Sequence, residues 1–168
     1  SSAASDVYKR QSMYPSFIVE YGVAPHHLSK EVFIGIVKWL RETRVEAKHT
    51  GRKLEADALK IVINRIYGAL NDAMDYLYDP ECTYTVTINL QLLLCGLIEA
   101  FELNNFDVLS ANTDGLLVRL PLNRQGVFKH ICNEWSVYSK LDLETEKFEK
   151  YCRSAVNDYI CLLYTSPS

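Results

Sequence analysis

The stretch Phe106–Pro121, FDVLSANTDGLLVRLP, decides how the rest of the chain is read. Two apolar, partly β-branched runs, Phe106–Ala111 and Leu116–Leu120, flank Asn112-Thr113-Asp114-Gly115. Asp-Gly between such runs signals a tight β-hairpin, so Asp114 is expected at a hairpin tip. A carboxylate held there on a two-stranded ribbon meets a metal ion without the entropy cost of ordering a mobile loop. The same dipeptide also makes a plain turn. The remaining sequence has to separate the two readings.

The composition is that of an ordinary soluble globular domain, with 48% hydrophobic and 23% charged residues in a chain of 168. Cys82, Cys95, Cys132, Cys152 and Cys161 contain no C-x-x-C pair and have no histidine at ligand spacing. Neither a zinc site nor a disulfide framework is supported, and free thiols in a reducing compartment are expected. His26, His27, His49 and His130 form no H-x-x-x-H pattern and read as surface or structural histidines.

Both ends look foreign. Asp6–Gln11 looks like the in-frame translation of a transposase-based sequencing-library adapter, and Cys161–Ser168 resembles its reverse complement read through. Residues 1–11 and 161–168 are therefore set aside from fold reasoning. The segment from Ser12 to Ile160 keeps 16 basic and 20 acidic residues, which argues against a uniformly basic nucleic-acid-binding surface. Charge is nonetheless uneven: Lys38 to Arg65 holds eight basic against four acidic residues. No signal peptide or membrane span is expected, because the apolar stretch Ile88–Leu103 is short and carries Asn89, Gln91, Glu99 and Glu102. It reads as a buried core helix.

In chain order, Ser12-Met13-Tyr14-Pro15-Ser16 leads from an extended entry into a short helix ending at Gly22. Ser29 is the N-cap candidate for a helix to about Lys48, with Val32, Phe33, Ile36, Val37 and Leu40 inward. Arg41, Arg44 and Lys48 share another part of that helix. After Thr50-Gly51 a second helix is expected from about Lys53 to Leu77, with Leu59, Val62, Ile63, Ile66, Leu70 and Ala73 inward. Lys60, Asn64, Tyr67, Gly68 and Asn71 line a neighbouring face. A tight helical hairpin brings Arg44, Lys48 and Lys60 within reach of one another, a cluster suited to phosphates, although a solvated helix face gives the same pattern. Gly68 costs about 1 kcal/mol in a helix interior, which points to close approach of another group. Thr83 or Thr85 is expected to cap the core helix, and Asn104-Asn105 to end it. A helix from Asn123 to about Ser139 follows, with Val127, Ile131, Trp135 and Tyr138 inward, and alternating stretches in 141–160 can join the hairpin's sheet. The expected class is α+β: helices on an antiparallel sheet, with a helical hairpin projecting from it.

Three stretches now stand in order: SMYPS at Ser12–Ser16, K-x-x-x-N-x-x-Y-G at Lys60–Gly68, and NTDG at Asn112–Gly115. Together they resemble the three polymerase motifs of family B DNA polymerases, most closely the phage-type members, and AVNDYI is similar to a further palm segment. The resemblance implies a polymerase palm over 12–28 and 79–160, with fingers formed by the hairpin over 29–78. It implies that the backbone of Ser12 and Met13 holds the triphosphate and that Tyr14 backs the incoming sugar and blocks a 2′-hydroxyl. Arg44, Lys48 and Lys60 would grip the phosphates, with Arg41 able to substitute for Arg44; Asn64 and Tyr67 would face the nascent pair. Asp114 would be the catalytic metal ligand, for two Mg²⁺ ions in a complete enzyme. The implied partners are primer-template DNA and dNTP, with no membrane partner and a cytoplasmic location, the host cytoplasm if phage-encoded. A proofreading exonuclease would lie upstream and a thumb downstream.

The departures carry weight. The family places its other metal-binding aspartate three residues before the serine of SMYPS, and Lys9 stands there. Asn112, Gly115 and Arg65 also replace residues usual in the motifs. The chain is therefore expected to be catalytically inactive as it stands, while its parent gene encodes a polymerase. Two rivals remain: a palm-like domain that binds nucleic acid without catalysis, and a palm from a reverse transcriptase or RNA-dependent polymerase, against which Tyr14 and the K-x-x-x-N-x-x-Y-G helix argue.

Overall fold

The computed structural model of the chain describes residues 4–9, 13–112, 115–143, 145–155 and 158–163. In chain order the elements are β1 (Ala4–Lys9), α1 (Met13–Tyr21), α2 (Lys30–His49), α3 (Lys53–Leu70), α4 (Pro80–Leu103), β2 (Asp107–Asn112), β3 (Gly115–Leu120), a 3-10 turn (Leu122–Arg124), α5 (Gln125–Ser139), β4 (Thr145–Ala155) and β5 (Asp158–Leu163). The α+β class expected from the sequence is found. The chain divides into a helical unit, Ser12–Leu92, and a sheet unit made of Ser1–Gln11 with Leu93–Ser168.

In the helical unit, α1 starts at Met13 and ends before Gly22, whose φ of +64° is the left-handed conformation that glycine adopts without strain. Ser29 caps α2 by accepting the Val32 N–H. Helices α2 and α3 pack as a hairpin across Thr50 and Gly51. The buried stripe of α2 is Phe33, Val37, Leu40, Arg44 and Ala47; Val32 and Ile36, expected inward, face solvent at 61% and 50% exposure. On α3 the buried residues are Ala56, Ile63, Ala69 and Leu70, whereas Val62 and Ala73 are exposed.

Helix α3 stops at Leu70, seven residues before the expected Leu77. Asp72 accepts from the Met74 N–H and Asp75 from the Leu77 N–H, both at 3.1 Å, and these side-chain turns replace the helical ladder. Helix α4 begins at Pro80, and its cap is Asp79, which accepts the Cys82 N–H at 2.9 Å, rather than Thr83 or Thr85. Its 24 residues make it long and apolar enough, by length and composition alone, to cross a membrane, which the shorter stretch read from the sequence was not. Burial of Cys82, Val86, Leu90, Leu94, Leu97 and Phe101 at helical spacing gives it the one-sided stripe of a core helix.

In the sheet unit the strand order is β2-β3-β1-β4-β5, with every neighbour antiparallel. The ends set aside from the fold in the sequence reading supply the middle of this sheet: Ala4–Lys9 pairs with β3 on one side and β4 on the other, and β5 runs on through Leu163. The C-terminal stretches thus reach the hairpin's sheet through β1. Asn105, at φ +55°, ends α4, and the Phe106 N–H returns to the Phe101 carbonyl at 3.0 Å. That closure sets Phe101 against Phe106 and Phe128, with ring centroids 5.7 and 5.2 Å away. On α5, Phe128, Ile131, Cys132 and Trp135 are buried, while Val127 and Tyr138, expected inward, point out. The Trp135 indole instead reaches the Leu93 carbonyl at 2.7 Å.

Candidate functional site

The helical unit brings together two tyrosines that lie more than fifty positions apart. Tyr14 is in the first turn of α1 and Tyr67 one turn before the end of α3. Their rings stack with centroids 4.0 Å apart and planes 23° from parallel. Such a pair contributes about 0.5–1.5 kcal/mol beyond its buried area. The Tyr67 hydroxyl lies 2.7 Å from Thr87 Oγ1 on α4, and Thr87 Oγ1 donates its only proton to the Thr83 carbonyl at 2.8 Å. Tyr67 is therefore the donor to Thr87, which fixes the direction of its O–H. Met13 is buried beside this pair in sequence, and Ser12 lies outside the described residues.

The cations on the hairpin behave differently from one another. Arg44 is about 9 Å and Lys60 about 12 Å along the helices from the connecting turn, so the two stand at similar height. Lys48, Lys60 and Asn64 are exposed, but Arg44 is only 7% exposed. Its position continues the i, i+4, i+7, i+11 series of Phe33, Val37 and Leu40, so its stem is drawn into the apolar stripe. Arg41, the alternative, is half-exposed with Nη1 3.9 Å from Glu20 Oε1. Gly68 is open: a Cβ there would meet nothing within 4 Å among the described residues, so none of them makes the close approach expected at that glycine.

A second cluster was not legible in the sequence. Asp79 Oδ2 accepts both the backbone N–H of His26 and a bond from His26 Nδ1, each at 2.8 Å. Asp79 also donates its own N–H to the Leu70 carbonyl at 2.9 Å. Burial pushes the Asp79 carboxyl up, but the N–H groups of Cys82 and His26 and the His26 ring outweigh it and hold the group at about 2. The hydrogen bond and charge of Asp79 in turn raise His26. Beside it, His27 Nε2 meets the Tyr76 carbonyl at 2.8 Å. The Asp79-Pro80 pair, an acid followed by proline, was the available signal for this helix start.

In the sheet unit, Asp114 itself lies outside the described residues, as does Thr113. Their neighbours Asn112 and Gly115 pair with each other, so only two residues connect β2 to β3. On the other side of β3, Lys9 is in register with Gly115. The end of β1 is thus placed beside the hairpin tip, and the residue it delivers there is a lysine. A divalent-metal site needs clustered oxygen ligands, and lysine, the residue type that β1 supplies opposite Gly115, offers none. Among the described residues no group of three or more His, Cys, Asp or Glu side chains could hold a metal ion.

No family model matches the chain. It is 31% identical over 77 residues to DNA polymerase II of Escherichia coli K12, a match covering 46% of this chain and 10% of that protein. In fold it is similar to the family B DNA polymerase of the hyperthermophilic archaeon Pyrobaculum calidifontis, with a TM-score of 0.70, 18% identity, and coverage of 96% of this chain and 26% of that one. The chain is thus similar to family B DNA polymerases and spans a small part of the length of those it matches.

Proposed function

We propose that this chain is the palm and fingers segment of a DNA-directed DNA polymerase, a protein that extends a primer on a template strand from dNTP. The observation that carries this reading is the Tyr14–Tyr67 stack tethered to Thr87, a flat, rigid wall built from the two motifs that resemble the family's sugar-facing and base-pair-facing segments. A ring fixed in that way excludes a 2′-hydroxyl by bulk, without any hydrogen bond to the sugar. Lys48 and Lys60, exposed on the hairpin, would bind the triphosphate and orient pyrophosphate as it leaves, with Arg41 or the more buried Arg44 beside them. Asn64 and the open surface of Gly68 would face the nascent pair.

In the complete enzyme Asp114 and an acid at position 9 would hold Mg²⁺, which stabilises charge developing on the transferred phosphate. With Lys9 in register beside the tip, this chain has half of that set, and no transfer step is assigned to it. The same lysine favours a second reading, a palm that binds nucleic acid without catalysis. Primer extension by the complete protein with and without Lys9→Asp separates them. Extension gained by Lys9→Asp supports the polymerase; a complete protein inactive with either residue supports the binding domain.

A further inference from the structure

The three elements that carry the tyrosine wall are pinned a second time, at one residue. Tyr14 is on α1, Tyr67 on α3, and the Thr87 tether on α4. Asp79 is bound to the loop that follows α1 through His26, to the last turn of α3 through the Leu70 carbonyl, and to the first turn of α4 through the Cys82 N–H. Its carboxylate is buried, and His26, which holds it, is exposed. We propose that Asp79, gripped by His26, is a positioning residue for the Tyr14–Tyr67 pair, so that the protonation of an exposed histidine adjusts the wall past which the sugar of an incoming nucleotide must fit. The positioning stands on the geometry; its consequence for the sugar rests on the nucleotide reading above.

The lever arms support this. Tyr67 lies about 5 Å along α3 from Leu70, and Thr87 about 12 Å along α4 from Asp79. A shift of the clasp therefore passes along stiff helices to both sides of the stack. The groups facing the His26 ring are Asp79 and, 3.9 Å from Nε2, Glu81; the adjoining His27 turns away to Tyr76. Both acids favour the protonated ring, in which His26 makes a charge-assisted bond to Asp79. Neutral His26 can keep an Nδ1–H bond to the same oxygen, so deprotonation loosens the clasp without releasing it.

The test uses the 168-residue chain with ring-labelled tyrosine, followed by NMR. In His26→Ala, an exposed substitution that spares the α4 cap, the stacked rings of Tyr14 and Tyr67 should both shift downfield, while exposed Tyr138 and the helical circular dichroism stay unchanged. In the unsubstituted chain the same two ring signals should follow the His26 titration. Asp79→Asn, which keeps a cap and removes the charge, should reproduce the shift. Rings unmoved by His26→Ala overturn the positioning role. Addition of dATP and of ATP gives the second arm: a dATP response that exceeds the ATP response, and narrows toward it in His26→Ala, extends the role to sugar selection. Rings that respond to His26→Ala but to neither nucleotide retain the positioning and remove the nucleotide reading.

Discussion

The helical unit and the sheet unit reach order by opposite routes. Ser12–Leu92 is held by contacts between helices that follow one another, sealed by a few polar ties such as Tyr67 to Thr87 and Asp79 to His26. The sheet unit has its central strand at one end of the sequence and both of that strand's partners near the other. The helical unit accordingly carries Tyr14, Lys48, Lys60 and Tyr67 on elements other than β1, whereas the β2–β3 hairpin has Lys9 of β1 in backbone register with its Gly115.

The largest expected effect tests whether the two units are separable. Phe101 is fully buried against Phe106 and Phe128, and Phe101→Ala should cost about 3–5 kcal/mol in chemical denaturation. Amide exchange should show β2, β3 and α5 losing protection while α2 and α3 keep theirs; simultaneous loss would mean a single cooperative block. Within the helical unit, Asp79→Ala removes a cap and the His26 bonds together and should cost about 1–3 kcal/mol. Because Asp79 is held at about 2 rather than 3.8, its contribution is present above the unfolded value and is lost as pH falls toward the folded one. An acid titration of stability should show that loss in the unsubstituted chain and lack it in Asp79→Ala.

Tyr67→Phe keeps the stack and removes the bond to Thr87, for about 1 kcal/mol. A cost confined to the helical unit would sharpen the division. The smallest effect is on the alkaline side. His26 is raised above 6.5, so its charge-assisted contribution is complete below that value and fades as pH rises through the folded one. Thermal denaturation across neutral pH should show a slight downward trend that His26→Ala abolishes.

Much of the helical unit was legible because its signals are local. The Ser29 cap, the Gly22 stop and the hairpin turn each lie within a few residues of what they control. Orientation was less legible. Helix α2 has apolar residues around much of its circumference, and periodicity alone did not choose Phe33-Val37-Leu40 over the stripe containing Val32 and Ile36, nor show that Arg44 continues the buried one. The Tyr14–Tyr67 pair was singled out through the motifs, but Thr87 and the Asp79–His26 clasp arise from tertiary packing with no periodic trace. Setting aside residues 1–11 hid the central strand, and with it the register that places Lys9 at the tip.

The placement of β1 also governs how the chain acquires its sheet. Joining Lys9 to Gly115 closes a loop of roughly a hundred residues, about 2 kcal/mol more costly in chain entropy than closing one of about ten. During synthesis β1 is made before β3 and β4 and waits, unpaired on both edges, until they have left the ribosome, while α2 and α3 can associate at once. The high contact order of this one strand makes sheet closure the slow step of folding and the waiting strand the segment most exposed to mispairing with a neighbouring chain.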